Sequence, residues 1–193
     1  DSSCPAKFFL ARFAIRDSRI AFGSMVLKPQ DVFILLKLVS LDERQWSYPV
    51  LAHALSMSSS EVHAGVKRAT AARLMDASRQ RPILQALEEF LVHGVRYAFP
   101  PERGGLTRGL RTGHAGPPLR DLITQPDSPP PVWPDPEGDT QGFSFSPLYR
   151  TVPDAARRDP GLYELLAVTD ALRDGGARER EVAVRELRVR LKT

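Results

Sequence analysis

The sequence predicts a mainly α-helical fold, and three observations carry that expectation. Apolar residues recur at helical spacing from Pro29 to Val39. A second helical stretch, SYPVLAHALSMSSSEVHAGVKRATAARLMD from Ser47 to Asp76, is interrupted once, at Ser56 and Met57, beside serines that suit a helix start. A third, Leu162 to Leu191, keeps the period on both sides of the Gly175-Gly176 break.

In chain order, Pro29 suits a first helical turn, and Val32, Leu35, Leu36 and Val39 form the expected buried face. Leu41 to Trp46 is a linker under which Trp46 packs. Ser47 caps a short helix running to Leu55. Ser58 caps the next, with Glu61 placed three residues later to close a capping box and Met57 with Val62 to form a hydrophobic staple. Val62, Val66 and Ala69 share one face of this helix and would meet Leu51 and Leu55. The opposite face carries Ser60, His63, Ala64, Lys67, Arg68 and Ala71. Small residues there let a backbone approach a major groove, and Ser, His, Lys and Arg reach base edges or phosphates. An ordinary solvated basic face is the alternative.

At these residues the chain resembles the winged helix-turn-helix regulators of bacteria and archaea, broadly the MarR type. The likeness lies in Leu51-Ala52, Leu55, Met57, Val62, Val66, Lys67-Arg68, Ala69 and Leu74, from Lys28 onward. It departs at Ala69, where a larger aliphatic is usual, and at Arg73, where Gly often precedes the first strand. The resemblance implies a three-helix core with a small β-wing, sequence-specific binding of double-stranded DNA, a homodimer and transcriptional control. Base readout falls to Ser60, His63, Lys67 and Arg68, phosphate positioning to Ser59 and to Arg103, Arg108 and Arg111. If Arg68 reads a guanine, removing it weakens specific binding by about 1–3 kcal/mol.

Beyond Met75, the segment Asp76 to Arg81 is short for a wing. A helix is expected from Ile83 to His93, stopped by Gly94, and Val95 to Phe99 alternates like a strand. The wing is therefore expected to be displaced by this inserted helix and supplied by the segment after it. Pro100 to Pro118 reads as a Gly- and Arg-rich loop, lying along phosphates or simply solvated. Pro126 to Gly142 reads as an extended Pro-rich linker with Trp133 as a buried anchor. A short helix at Pro153 to Arg158, an amphipathic one at Leu162 to Leu172 and a last one at Ala177 to Leu191 complete the chain. In the last, Glu181 and Glu186 sit four residues before Arg185 and Arg190, which favours ion pairs. The stretch PLYRTVPDAARRDPGLYELLAVTDALRDGGARERE looks similar to an uncharacterised group of prokaryotic helix-turn-helix proteins.

The expected organisation is a leader at 1–24, a winged helix-turn-helix domain at 25–122, a linker at 123–146 and a C-terminal helical dimerisation or partner-docking region at 147–193. Gly23-Ser24-Met25 suggests a native start at Met25. The net charge of +4 suits an anionic partner. The single cysteine, Cys4, cannot form an intramolecular disulfide and fits a reducing cytoplasm. No apolar run approaches a membrane span.

Chemistry is not expected. His53, His63, His93 and His114 are scattered, without metal-ligand spacing, and Glu88-Glu89 diverge on a helix. No serine nucleophile elbow is present. The reading is a non-enzyme without cofactor or metal. The alternative is a protein-interaction module, an antitoxin-like partner of a neighbouring gene product, binding protein through its C-terminal helices.

Overall fold

The computed structural model describes residues 26–42 and 44–192; the expected leader, its start at Met25 and Cys4 lie outside them. The described chain is mainly helical with two small sheets. Helix α1, Pro29–Ser40, is central. The Asp31 carboxylate accepts the Lys28 N–H at 2.8 Å and starts it. Phe33 and Ile34 are as fully buried as Val32, Leu35 and Leu36, because α3 packs on one side of α1 and α7 on the other. A helix apolar on all sides belongs inside a core.

Helices α2, Tyr48–Leu55, and α3, Ser59–Ala71, form the helix pair the sequence predicts. Ser56 turns the chain in the left-handed region at φ 51°. The capping box is present: Ser58 Oγ accepts from Glu61 N at 3.2 Å and Ser58 N donates to Glu61 Oε2 at 3.1 Å. Leu51, Leu55, Met57, Val62, Val66 and Ala69 are buried together.

After α3 the structure departs from the expectation of a displaced wing. Strands β1, Met75–Asp76, and β2, Arg81–Pro82, pair antiparallel directly behind the helix. Asp76 Oδ1 closes their turn by accepting from Ser78 N at 2.8 Å, Ser78 Oγ at 2.6 Å and Arg79 N at 3.2 Å. An Asp side chain that mimics a backbone turn makes so short a hairpin possible.

Gly94 does not stop the next helix, and Val95 to Phe99 is not a strand. Helix α4, Leu84–Glu89, runs through a π-helical turn at Phe90–Gly94 into α5, Val95–Ala98. Leu87, Leu91 and Val95 are all buried at a spacing of four, so burial of one helical stripe outweighs the local glycine signal.

The Gly/Arg stretch is not a loop. It forms β3, Arg103–Arg111, which pairs antiparallel with β4, Pro131–Pro134, and with β5, Thr140–Phe145, while β4 and β5 pair in parallel. The glycines serve close approach: a Cβ on Gly109 would collide with the Trp133 carbonyl, and one on Gly142 with the Pro130 carbonyl.

Nor is the Pro-rich segment a linker between domains. Trp133 is fully buried, as its anchor reading expects, and its indole N–H donates to Asp170 at 2.6 Å. Asp170 also accepts from Thr112 at 2.7 Å and from Arg173 at 2.7 Å, so a buried carboxylate is met by three donors. Helices α6, Val152–Arg158, α7, Pro160–Asp174, and α8, Ala177–Leu191, follow, with α7 and α8 separated at Gly175-Gly176. One hydrophobic cluster runs from Val32 through Trp133 to Leu191. The inward face of α8 packs on α7 of its own chain. No described helix is long and apolar enough to cross a membrane.

Candidate nucleic-acid interface

Helix α3 shows solvent a narrow polar face. Ser59, Ser60, His63, Lys67 and Ala71 are exposed, and Ala64 and Thr70 are half-buried beside them. The Ser60 hydroxyl lies 3.1 Å from that of Ser58, which places it at the start of the helix. The spacing of Ser60, His63 and Lys67 sets them on one face, so they form one continuous stripe.

Arg68 does not belong to that stripe, which overturns its expected role in base readout. Only 7% of Arg68 is exposed. Its guanidinium turns inward and clasps Asp31 of α1 in a two-pronged pair, Nε to Oδ2 at 2.8 Å and Nη2 to Oδ1 at 2.6 Å. The Asp31 carboxylate raises the Arg68 pKa above its ordinary value, so the guanidinium stays charged. Gly65, one turn earlier, makes the room. A Cβ there would drive into Ile34 Cδ1 and sit 3.0 Å from Asp31 Oδ1. The sequence carries a signal for this pairing: a glycine one turn before an arginine, with a lone acid in the first turn of α1.

The start of α3 is held by residues far along the chain that the sequence did not single out. Tyr149 Oη donates to Glu61 Oε1 at 2.7 Å. Thr151 Oγ1 donates to the Leu55 carbonyl at 2.6 Å, and Arg158 Nη2 to Ser56 Oγ at 2.7 Å. The Tyr149 and Ser58 hydrogen bonds hold the Glu61 carboxyl below its usual value, and the same contact pushes the Tyr149 phenol up. Arg150, exposed, lies over the Tyr149 ring at 5.7 Å and adds a cation near this end of the helix.

At the other end the turn after α3 adds Arg73, and the β1–β2 hairpin adds Arg79 and Arg81. Arg73 has φ 60°, a left-handed conformation at the position where the resemblance implies Gly. Trp46 ties the linker to the hairpin through its indole N–H, which donates to the Gln80 carbonyl at 3.0 Å. The Trp46 and Tyr48 rings meet edge-on at 5.3 Å, and Tyr48 lies 5.2 Å from the His63 ring on α3. Between these rings, α3 and the hairpin runs a groove of about 540 Å3.

Arg103, Arg108 and Arg111 are not brought beside α3. All lie on β3, whose principal packing partners are β4 and β5. Arg103 is ion-paired with Asp174 at the end of α7, and Arg111 Nε donates to Thr140 Oγ1 at 2.9 Å. Arg108 is exposed on the same strand. Among the described residues no group of three or more His, Asp or Glu converges on a point where a metal ion would sit. Compared with protein-family models, curated proteins and solved structures, the chain finds no match.

Proposed function

We propose that the chain is a sequence-specific DNA-binding regulator that reads duplex DNA with α3. The observation that carries the reading is the Ser60–His63–Lys67 stripe. It is exposed on a helix whose start is clamped by Tyr149 and whose end is followed at once by an arginine-bearing hairpin. Helices α1 to α3 with β1 and β2 are compatible with a winged helix-turn-helix, in which the hairpin would be the wing. In that arrangement Ser60, His63 and Lys67 meet base edges in the major groove. Ser59, Arg73 and Arg79 meet phosphates on either side. Arg103, Arg108 and Arg111 drop out of the duplex contact set, because their strand packs elsewhere. The resemblance also implies a homodimer.

The test is fluorescence anisotropy of the chain on DNA from its own upstream region against scrambled DNA, across a salt series. Preferential binding that survives moderate salt supports the reading. Equal, weak binding erased by salt leaves only a basic surface. Lys67→Ala should weaken the specific site by about 1–3 kcal/mol if Lys67 contacts a base; an unchanged affinity removes it from the set. A protein-docking role is the second reading, favoured by Leu106 and Phe143, which face each other across β3 and β5 and are 56% and 44% exposed. Charge reversal at Lys67 separates the two, since it abolishes DNA binding and spares a partner seated on the sheet.

A further inference from the structure

We infer that the groove beside α3 accepts one unpaired nucleotide, its base against the Tyr48 and His63 rings and its phosphate on Arg44 and Arg79. This rests on the reading of the α3 face as nucleic-acid-facing, and it adds a ligand that an intact duplex does not present. Two neighbouring clefts carry the inference. The first is the groove of about 540 Å3, whose walls include Tyr48, His63, Val66 and Met75, with Lys67 and Thr70 at hand. Its size falls within the range of small-molecule sites. The second, of about 280 Å3, is lined by Arg44, Gln45, Trp46, Arg79, Gln80 and Arg81. The two share Trp46 and Gln80 in their walls, so they lie side by side, the first aromatic and the second cationic.

The chemistry of the two clefts selects the occupant. A flat π-system gains by stacking on aromatic side chains, and every nucleobase has one. The Trp46 indole N–H is already committed to Gln80, which fixes the ring in place. Among the described residues lining the cationic cleft none is acidic. Arg79 is only loosely engaged, 3.8 Å from Asp76, and Arg44 donates to the carbonyls of Leu41 and Ser40. Guanidinium groups recognise phosphate oxygens in forked geometry. An apolar ligand without an anion would leave the arginine cleft unused, and inorganic phosphate would leave the aromatic groove unused. The same nucleoside monophosphate unit can come free from solution or from a base turned out of a strand.

The test follows the two tryptophan indole N–H resonances of the full chain by heteronuclear NMR, the Trp46 signal assigned by Trp46→Phe. Probes are the four deoxynucleoside 5′-monophosphates, inorganic phosphate, a matched duplex and the same duplex with one unpaired adenosine. A saturable shift of the Trp46 signal, with Trp133 unmoved, is the expected result for the monophosphates or for the bulged duplex. Saturation by free monophosphate at concentrations as low as those for bulged DNA identifies a free nucleotide. Much tighter binding of the bulged duplex identifies an unpaired base. Tyr48→Leu should weaken either by roughly fivefold or more, while Tyr48→Phe keeps it. Arg44→Gln should weaken it and flatten its salt dependence. No saturable shift with any monophosphate or with bulged DNA overturns the inference, as does equal binding by Tyr48→Leu. The matched duplex isolates this from the regulator reading: loss of the nucleotide response with intact duplex binding defeats the inference alone.

Discussion

Lys67 and Arg68 are neighbours in sequence with opposite surroundings. Lys67 reaches solvent, whereas Arg68 is enclosed against an Asp31 that is fully buried. Removing one member of such a pair leaves the other charge buried without a partner, which typically costs about 3–5 kcal/mol. Arg68→Ala should therefore lower unfolding stability by about that much in chemical denaturation. Lys67→Ala should stay within about 0.5 kcal/mol, as surface changes do. Equal stabilities for the two variants would contradict the burial of Arg68. Asp159 offers a second test. Burial pushes its carboxyl up, but hydrogen bonds from Lys37 at 2.6 Å, the Leu162 N–H at 3.1 Å and Ser40 at 2.8 Å outweigh it and hold the group below its ordinary 3.8. A depressed acid contributes stability that is fully present above its unfolded value and is lost as pH falls through the folded one. Stability should thus fall as pH drops below the ordinary 3.8. In Asp159→Asn the stability-against-pH curve should be flatter in that window; an unchanged slope would show the pair contributes nothing there.

The contact of α1 with α3 sets the exposed stripe at the scale of elements. At Gly65 the two helices pack tightly, with Ile34 and Asp31 opposite. An alanine there would gain up to about 1 kcal/mol of helix propensity. Overpacking a closed contact costs about 1–3 kcal/mol, so the clash wins. Gly65→Ala should be destabilising in denaturant melts, and Ile34→Val, which removes the atom the new Cβ meets, should recover part of the loss. Additive effects of the two substitutions would refute that packing. Helical periodicity and caps made α1, α2, α3 and α8 legible, since their cues are local. The β1–β2 hairpin, the passage of the helix through Gly94 and the strand identity of Arg103–Arg111 were not, because their causes lie in partners distant in sequence.

For the whole molecule the decisive feature is that α7 fills the centre rather than extending from it. It lies against α1, α5, α6 and α8, and its Asp170 receives the Trp133 indole. Heat or denaturant should therefore unfold the described chain in one transition, with tryptophan fluorescence and far-ultraviolet circular dichroism coinciding. Two separated transitions would restore the idea of independent halves. A chain ending at Phe145 should not fold, because α1 would lose the α7 side of its all-round apolar surface. By itself the sequence determined the helix content, the α2–α3 pair with its Ser58–Glu61 box, and Ser60, His63 and Lys67 as the polar face. Those features come from residue spacing along one helix. Only the tertiary structure decided that Arg68 turns inward and that the β3 arginines sit away from α3. It also decided that Trp46 and Tyr48 build a groove beside α3 and that one core joins both ends of the described chain. Each of these depends on which distant segment occupies a face, and that is settled by packing apolar surface and pairing buried charge in three dimensions.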